Sequence, residues 1–132
     1  MTNKEIVRRF SDDLWGRGNL IAGDQVLAVD VIEHNPLPGQ GAGREGHKRV
    51  VALFRSAFPD LHVVTEDLLE EGDRVALRWR AEGTHRGDLM GLAPTGKPVT
   101  LTGIEILRLK DGKIVERWAE DNGQAVLAQL RS

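Results

Sequence analysis

The chain has 132 residues, 40% of them apolar and 29% charged, which fits one domain large enough to bury a core. Lys and Arg total 18 against 20 Asp and Glu, a formal net charge of -2, so no concentrated basic surface for nucleic acid or an anionic membrane is expected. Cysteine is absent, which excludes disulfides, thiol nucleophiles and thiolate metal sites.

No apolar run is long enough for a membrane span, and the start, MTNKEIVRRF, lacks the apolar stretch of a secretion signal. The expectation is a single cytoplasmic domain, residues 1–132. Thr2 and Glu5 have capping-box spacing, and Ile6, Val7, Phe10 and Leu14 follow at helical intervals. This predicts a first helix over about 3–16, closed by Gly16 to Gly18. A short helix is predicted over roughly 20–27. VLAVDVIEHNP then turns strand-like and stops before Pro36. Beyond a glycine-rich loop, Val50, Leu53, Phe54, Ala57 and Phe58 form one apolar face of a helix that ends at Pro59.

The second half is β-rich. LHVVTEDLLE, DRVALRWRAEGTH, PVTLTGIEILRL and KIVERWAE are separated by EEGD, a long loop and KDG. A final helix of about eight residues turns Val126, Leu127 and Leu130 inward. Helices first and antiparallel strands after is an α+β pattern, a curved sheet wrapped around N-terminal helices.

Alternation assigns faces. Over 75–85, Val75, Leu77, Trp79, Ala81 and His85 share one face, while Arg78, Arg80, Glu82 and Arg86 share the other. Over 99–109, Val99, Leu101, Leu107 and Leu109 share a face with Glu105. Ile104 and Ile106 make the opposite face apolar as well, so dimerisation through that outer face is expected. An inward acid must be neutralised, paired or used. For Glu105 a salt bridge to Arg78, Arg80 or Arg117 stands beside a catalytic role. His85 alone reads more readily as a core or loop histidine, and His47 and His62 read as surface residues. No two His have metal-ligand spacing, so no metal is expected. GAGREG, residues 41–46, satisfies GxGxxG, but it follows a Pro-containing loop outside any βαβ context and reads as a plain loop.

No serine lies in a GxSxG elbow and there is no tyrosine, so acid–base chemistry falls to Asp, Glu and His. The stretch RWAEDNGQ places Asp121 where a strand hands over to the last helix. Asp121 and Gln124 have capping-box spacing, and such a cap stabilises a helix by about 1 kcal/mol. A general base would instead need an apolar enclosure, which Trp118 and Trp79 could supply. The residues alone leave both readings open.

Four stretches carry a family resemblance: EHNP; GREGHKRVVALFRSAFPDL; EEGDRVALRWRAEGTHRGDLMGLAPTGKPV; and GIEILRLKDGKIVERWAEDNGQAVLAQL. From about residue 6 to residue 130 the chain resembles the SnoaL-like polyketide cyclases, within the nuclear transport factor 2-like superfamily. The resemblance implies a cone-shaped α+β barrel with one deep apolar pocket. It implies a hydrophobic small-molecule substrate and an intramolecular aldol closure of a polyketide ester that needs no cofactor. Asp121 matches the family's general acid/base, and His34 matches the His of its HxP pattern. Where the family carries a His on the strand before the DGKI hairpin, this chain has Glu105. Asn35, Trp79, His85, Met90 and Trp118 are the expected substrate contacts, with GDLMGLAPTG over the pocket mouth.

Two other functions compete. An epoxide hydrolase needs an acid–Arg–acid arrangement around a water, which Asp121, Arg78 or Arg80, and Glu105 would form only if an Arg pointed inward. A non-catalytic module that merely holds a small molecule is the other.

Overall fold

The computed structural model covers residues 1–132 and contains four α-helices and one five-stranded sheet. Helix α1 (Asn3–Arg9) starts at the predicted capping box: Glu5 N–H donates to Thr2 Oγ1 at 3.1 Å, and Thr2 N–H donates to a Glu5 carboxylate oxygen at 3.4 Å. Its continuation differs from the expected regular helix. Phe10–Trp15 forms a π-helical turn, and the carbonyls of Trp15 and Gly16 accept from Arg55 Nη1. A widened turn of this kind redirects side chains and is common beside functional sites.

Helix α2 (Leu20–Val26) and strand β1 (Leu27–Glu33) follow, then α3 (Gly43–Ala57), whose terminal N–H donor is carried by Phe58. The glycines of GAGREG serve packing. A Cβ on Gly46 would lie 1.7 Å from the Gly41 carbonyl oxygen, and Gly43 has φ 68° with Val29 O only 2.5 Å from a Cβ position. The loop therefore folds tightly on itself and on β1.

Strands β2 (His62–Glu71), β3 (Arg74–Thr84), β4 (Pro98–Lys110) and β5 (Lys113–Asp121) form an antiparallel meander, and α4 (Gly123–Arg131) closes the chain. The strand order is β1-β5-β4-β3-β2. The sheet is mixed, because β1 pairs with β5 in parallel: β1 enters from the helical half and lies beside the last strand. It is an open curved sheet whose edges, β1 and β2, do not meet. Alternation on β4 is regular: Val99, Leu101, Glu105, Leu107 and Leu109 are buried, while Ile104 and Ile106 are exposed. No helix is long and apolar enough to cross a membrane.

Two apolar clusters cover the concave face. One joins α1, the π-helical turn and α2 to β1, Val75, Leu77 and Leu107. The other joins the end of α3 and α4 to Ala81, Val99 and Leu101. Trp79 packs against both. Their shared boundary matters because a cavity opens there.

Candidate active site

The cavity is about 190 Å³, and 17 of its 27 lining residues are apolar, so it suits a largely hydrophobic ligand. Its charged wall consists of Glu33, Glu105, Asp121 and Arg117. Strand β5 supplies two of these through an irregularity. Leu109 pairs with Ile114 but Arg108 pairs with Glu116, so one extra residue bulges out between them. Alternation counted from the buried Ile114 would send Glu116, Trp118 and Glu120 inward. The bulge reverses this, and Arg117, Ala119 and Asp121 line the cavity instead.

Arg117 is the inward arginine, whereas Arg78 and Arg80 pair with Asp67 and with Glu66 and Glu82 on the outer face. The Arg117 Nε donates to Glu105 Oε1 at 2.6 Å, and Nη1 donates to Glu33 Oε2 at 2.6 Å. Glu105 Oε2 accepts from the Trp79 indole N–H at 2.9 Å. Glu33 Oε1 is bonded to His47 Nδ1, and His47 Nε2 accepts from the Trp15 indole N–H at 3.0 Å. These six side chains form one chain of hydrogen bonds from Trp15 to Trp79, with the guanidinium at its centre. Burial works to raise the Glu33 pKa, but the His47 bond and the Arg117 charge outweigh it and hold the carboxyl at about 2. Burial opposes the Arg117 charge as well, yet Glu105 and Glu33 more than offset it and raise the pKa. For His47 burial wins, and its pKa is lowered despite Glu33.

Asp121 stands at the rim. It is exposed, and Oδ1 accepts from Gly123 N–H at 2.8 Å, leaving Oδ2 without a protein partner. The capping-box bonds to Gln124 are absent. Asn122 holds the N-cap position and spends its side chain on Thr102 N–H and Thr100 O, tying α4 to β4. Asp121 shares a rung of the sheet with Gly103 and Trp79. A Cβ on Gly103 would lie 2.4 Å from the Trp79 ring, so the indole lies over the glycine, on the side toward Asp121. Trp79 therefore contributes an apolar wall to the cavity on the same rung as that carboxyl. The full enclosure by two tryptophans does not exist.

Of the residues named from sequence, Asp121, Glu105, Asn35, Trp79 and Met90 line the cavity. Asn35 is fixed by accepting Ala119 N–H at 3.0 Å, and Met90 sits at the rim with φ 48°. Three others lie elsewhere. Trp118 faces out because of the β5 bulge. There it stacks on His34 (4.7 Å, 6°) and lies 5.1 Å from the Arg74 guanidinium. His34 bonds Glu116 at 2.7 Å on the same outer face. His85 is buried, but its Nδ1 accepts Thr95 N–H and its ring packs on Phe58, so it anchors the β3–β4 loop.

His47, expected on the surface, is buried at the cavity. Glu33 and Trp15 also escaped the sequence reading, whereas of the three arginines offered as partners for Glu105 it is Arg117 that makes the salt bridge. For Glu33 a signal existed: it shares parity with the apolar Val31 in a strand that ends at a cavity mouth.

Residues 5–130 match the family model described as SnoaL-like polyketide cyclase. A relative from Streptomyces peucetius, the aklanonic acid methyl ester cyclase DnrD, is 30% identical over 91 residues. That match spans 68% of this chain and 61% of the relative. Among solved structures, IdmH from Streptomyces antibioticus, a proposed polyketide cyclase, is 30% identical with a TM-score of 0.84 over all of both chains. AclR from Streptomyces galilaeus, a proposed hydroxylase, is 30% identical with a TM-score of 0.82, covering 98% of this chain and 95% of its own. With the model matched over nearly the whole chain and the same α+β fold in these neighbours, this protein belongs to the SnoaL-like polyketide cyclase family.

Proposed function

We propose that this chain closes a ring within a polyketide-type ester by an intramolecular aldol reaction, with Asp121 as general acid and base. The observation that carries this is the place of Asp121: on the inward face of β5, beside Trp79, with one carboxylate oxygen unclaimed by the protein. In the reaction, Asp121 takes a proton from a carbon flanked by two carbonyls. The electron pair delocalises onto their oxygens, so the chemistry calls on no cofactor. That carbon then attacks a second carbonyl of the same molecule, and the new alkoxide takes the proton back from Asp121.

The cavity's share is to fold a flexible chain so that the two carbons meet, and to exclude water once the ligand fills the rim. Glu105 acts in this scheme by holding Arg117, and His34, on the far side of the sheet, has no part. Asn35, Trp79 and Met90 are the proposed ligand contacts. The test is turnover of β-polyketone esters by wild type and Asp121→Asn. A variant as fast as wild type would remove the assignment.

One observation favours a second reading. Glu33–Arg117–Glu105 is an acid–Arg–acid array opening on the same cavity, the arrangement that epoxide hydrolysis requires. Both carboxylates of that array are committed to protein donors, Glu33 to Arg117 and His47 and Glu105 to Arg117 and Trp79, whereas Asp121 keeps an oxygen free, which places the aldol reading first. Assaying epoxides beside polyketones separates the two.

A further inference from the structure

Arg117 has a second consequence. A guanidinium offers five N–H donors, and even two-pronged pairing with both carboxylates would occupy only four. Its side chain is 13% exposed and lines the cavity, so the remaining donor capacity can meet a ligand there. The group is rigid. Glu33 and Glu105 fix its plane, His47 and Trp79 fix those carboxylates in turn, and the Phe10 ring lies 5.9 Å from the guanidinium carbon. A donor held this way needs no reorganisation to receive an oxygen atom.

Charge decides which oxygen. The cavity wall carries three carboxylates, Glu33, Glu105 and Asp121, against one guanidinium. The cation is already neutralised by its two neighbours, so a carboxylate ligand would meet uncompensated negative charge in an apolar setting. A neutral carbonyl would accept the hydrogen bond without that repulsion.

We propose that Arg117 anchors a neutral carbonyl oxygen of the ligand at the inner end of the cavity. Along β5 it lies four residues, about 13 Å, from Asp121. Arg117 thus takes the buried end of the molecule while the reacting end stays at the rim. This deepens the cyclase reading by naming what the inner end binds, and it rests on that cavity being the ligand site.

The test is titration calorimetry of the wild-type protein with three probes of one shape: 2-acetylnaphthalene, 2-isopropylnaphthalene and 2-naphthoate. The ketone is expected to bind about tenfold tighter than the hydrocarbon, and the carboxylate at least about tenfold weaker than the ketone. Arg117→Lys, which keeps the charge but loses the planar fork, should erase the ketone preference while leaving hydrocarbon affinity within about twofold. If that variant does not fold, the triple substitution Glu33→Gln, Arg117→Met and Glu105→Gln, which strands no charge, takes its place. Equal affinity for ketone and hydrocarbon, tightest binding of the carboxylate, no binding of any probe, or a ketone preference that survives loss of Arg117 would each overturn the proposal. Because the readout is binding rather than turnover, a wrong role for Asp121 would leave this result untouched.

Discussion

The indole N–H of Trp15 donates to Nε2 of His47 at 3.0 Å, and an indole can only donate. Nε2 is therefore unprotonated, and the ring carries its proton on Nδ1, facing Glu33. His47 is thus a neutral donor that steadies a carboxylate, with no ring nitrogen left to act as a base.

That arrangement predicts an acid-sensitive fold. Burial lowers the His47 pKa below its ordinary 6.5, so below that pH the unfolded chain takes up a proton the folded chain refuses. Stability then falls as pH falls, by up to about 1.4 kcal/mol per pH unit. Glu33, at about 2 when folded against an ordinary 4.5, adds its own loss as pH drops through that range. Urea midpoints measured from pH 7 to 2 should show both phases. His47→Gln should flatten the first and shrink the second, because the His47 bond is the foremost influence holding Glu33 low, and an unchanged slope between pH 6.5 and 5 would refute the assignment.

Removing the cation alone should be severe. Arg117→Met leaves Glu33 and Glu105 facing each other in a buried setting, at a cost of about 3–5 kcal/mol. Adding Glu33→Gln and Glu105→Gln should restore most of that stability. Chemical denaturation of the single and triple variants decides it, and a single variant as stable as wild type would contradict the pairing.

Gly103 keeps the place of the Trp79 ring. Gly103→Ala would push a methyl group into the indole, at about 1–3 kcal/mol, and pull Trp79 from Glu105. The variant should lose stability and change its tryptophan emission. Unaltered emission would show that the ring does not rest there.

Asp121→Asn keeps an oxygen to accept the Gly123 N–H, so its stability should stay within about 0.5 kcal/mol of wild type. Under the proposed mechanism its turnover should fall by about 10²–10⁴. A large stability loss with normal activity would mean that the carboxyl serves the helix and not the chemistry.

The outer sheet face carries Leu69, Ile104 and Ile106, which are 67%, 57% and 41% exposed, beside the His34–Trp118 stack. We propose this face as the contact of a homodimer. Analytical ultracentrifugation should find a dimer, and Ile104→Lys should yield a monomer. A monomeric wild type would end the idea.

What the sequence determined by itself was whatever local repetition encodes. The capping box at Thr2, the alternation of Val99 to Leu109 and the Asp111–Gly112 turn, with φ of 52° and 77°, all act over a few residues. The strand-to-helix junction at Asp121 and the inward place of Glu105 were legible on the same grounds. The face of Arg117 was not, because one bulged residue in β5 reverses every side chain after it, and only pairing with β4 defines a bulge. Glu33, His47 and Trp15 escaped for a related reason. Strand β1, α3 and the π-helical turn are far apart in the chain, and each polar group looks unremarkable until tertiary packing brings the others within hydrogen-bonding distance. Burial makes such a network worth completing, and burial belongs to the folded molecule.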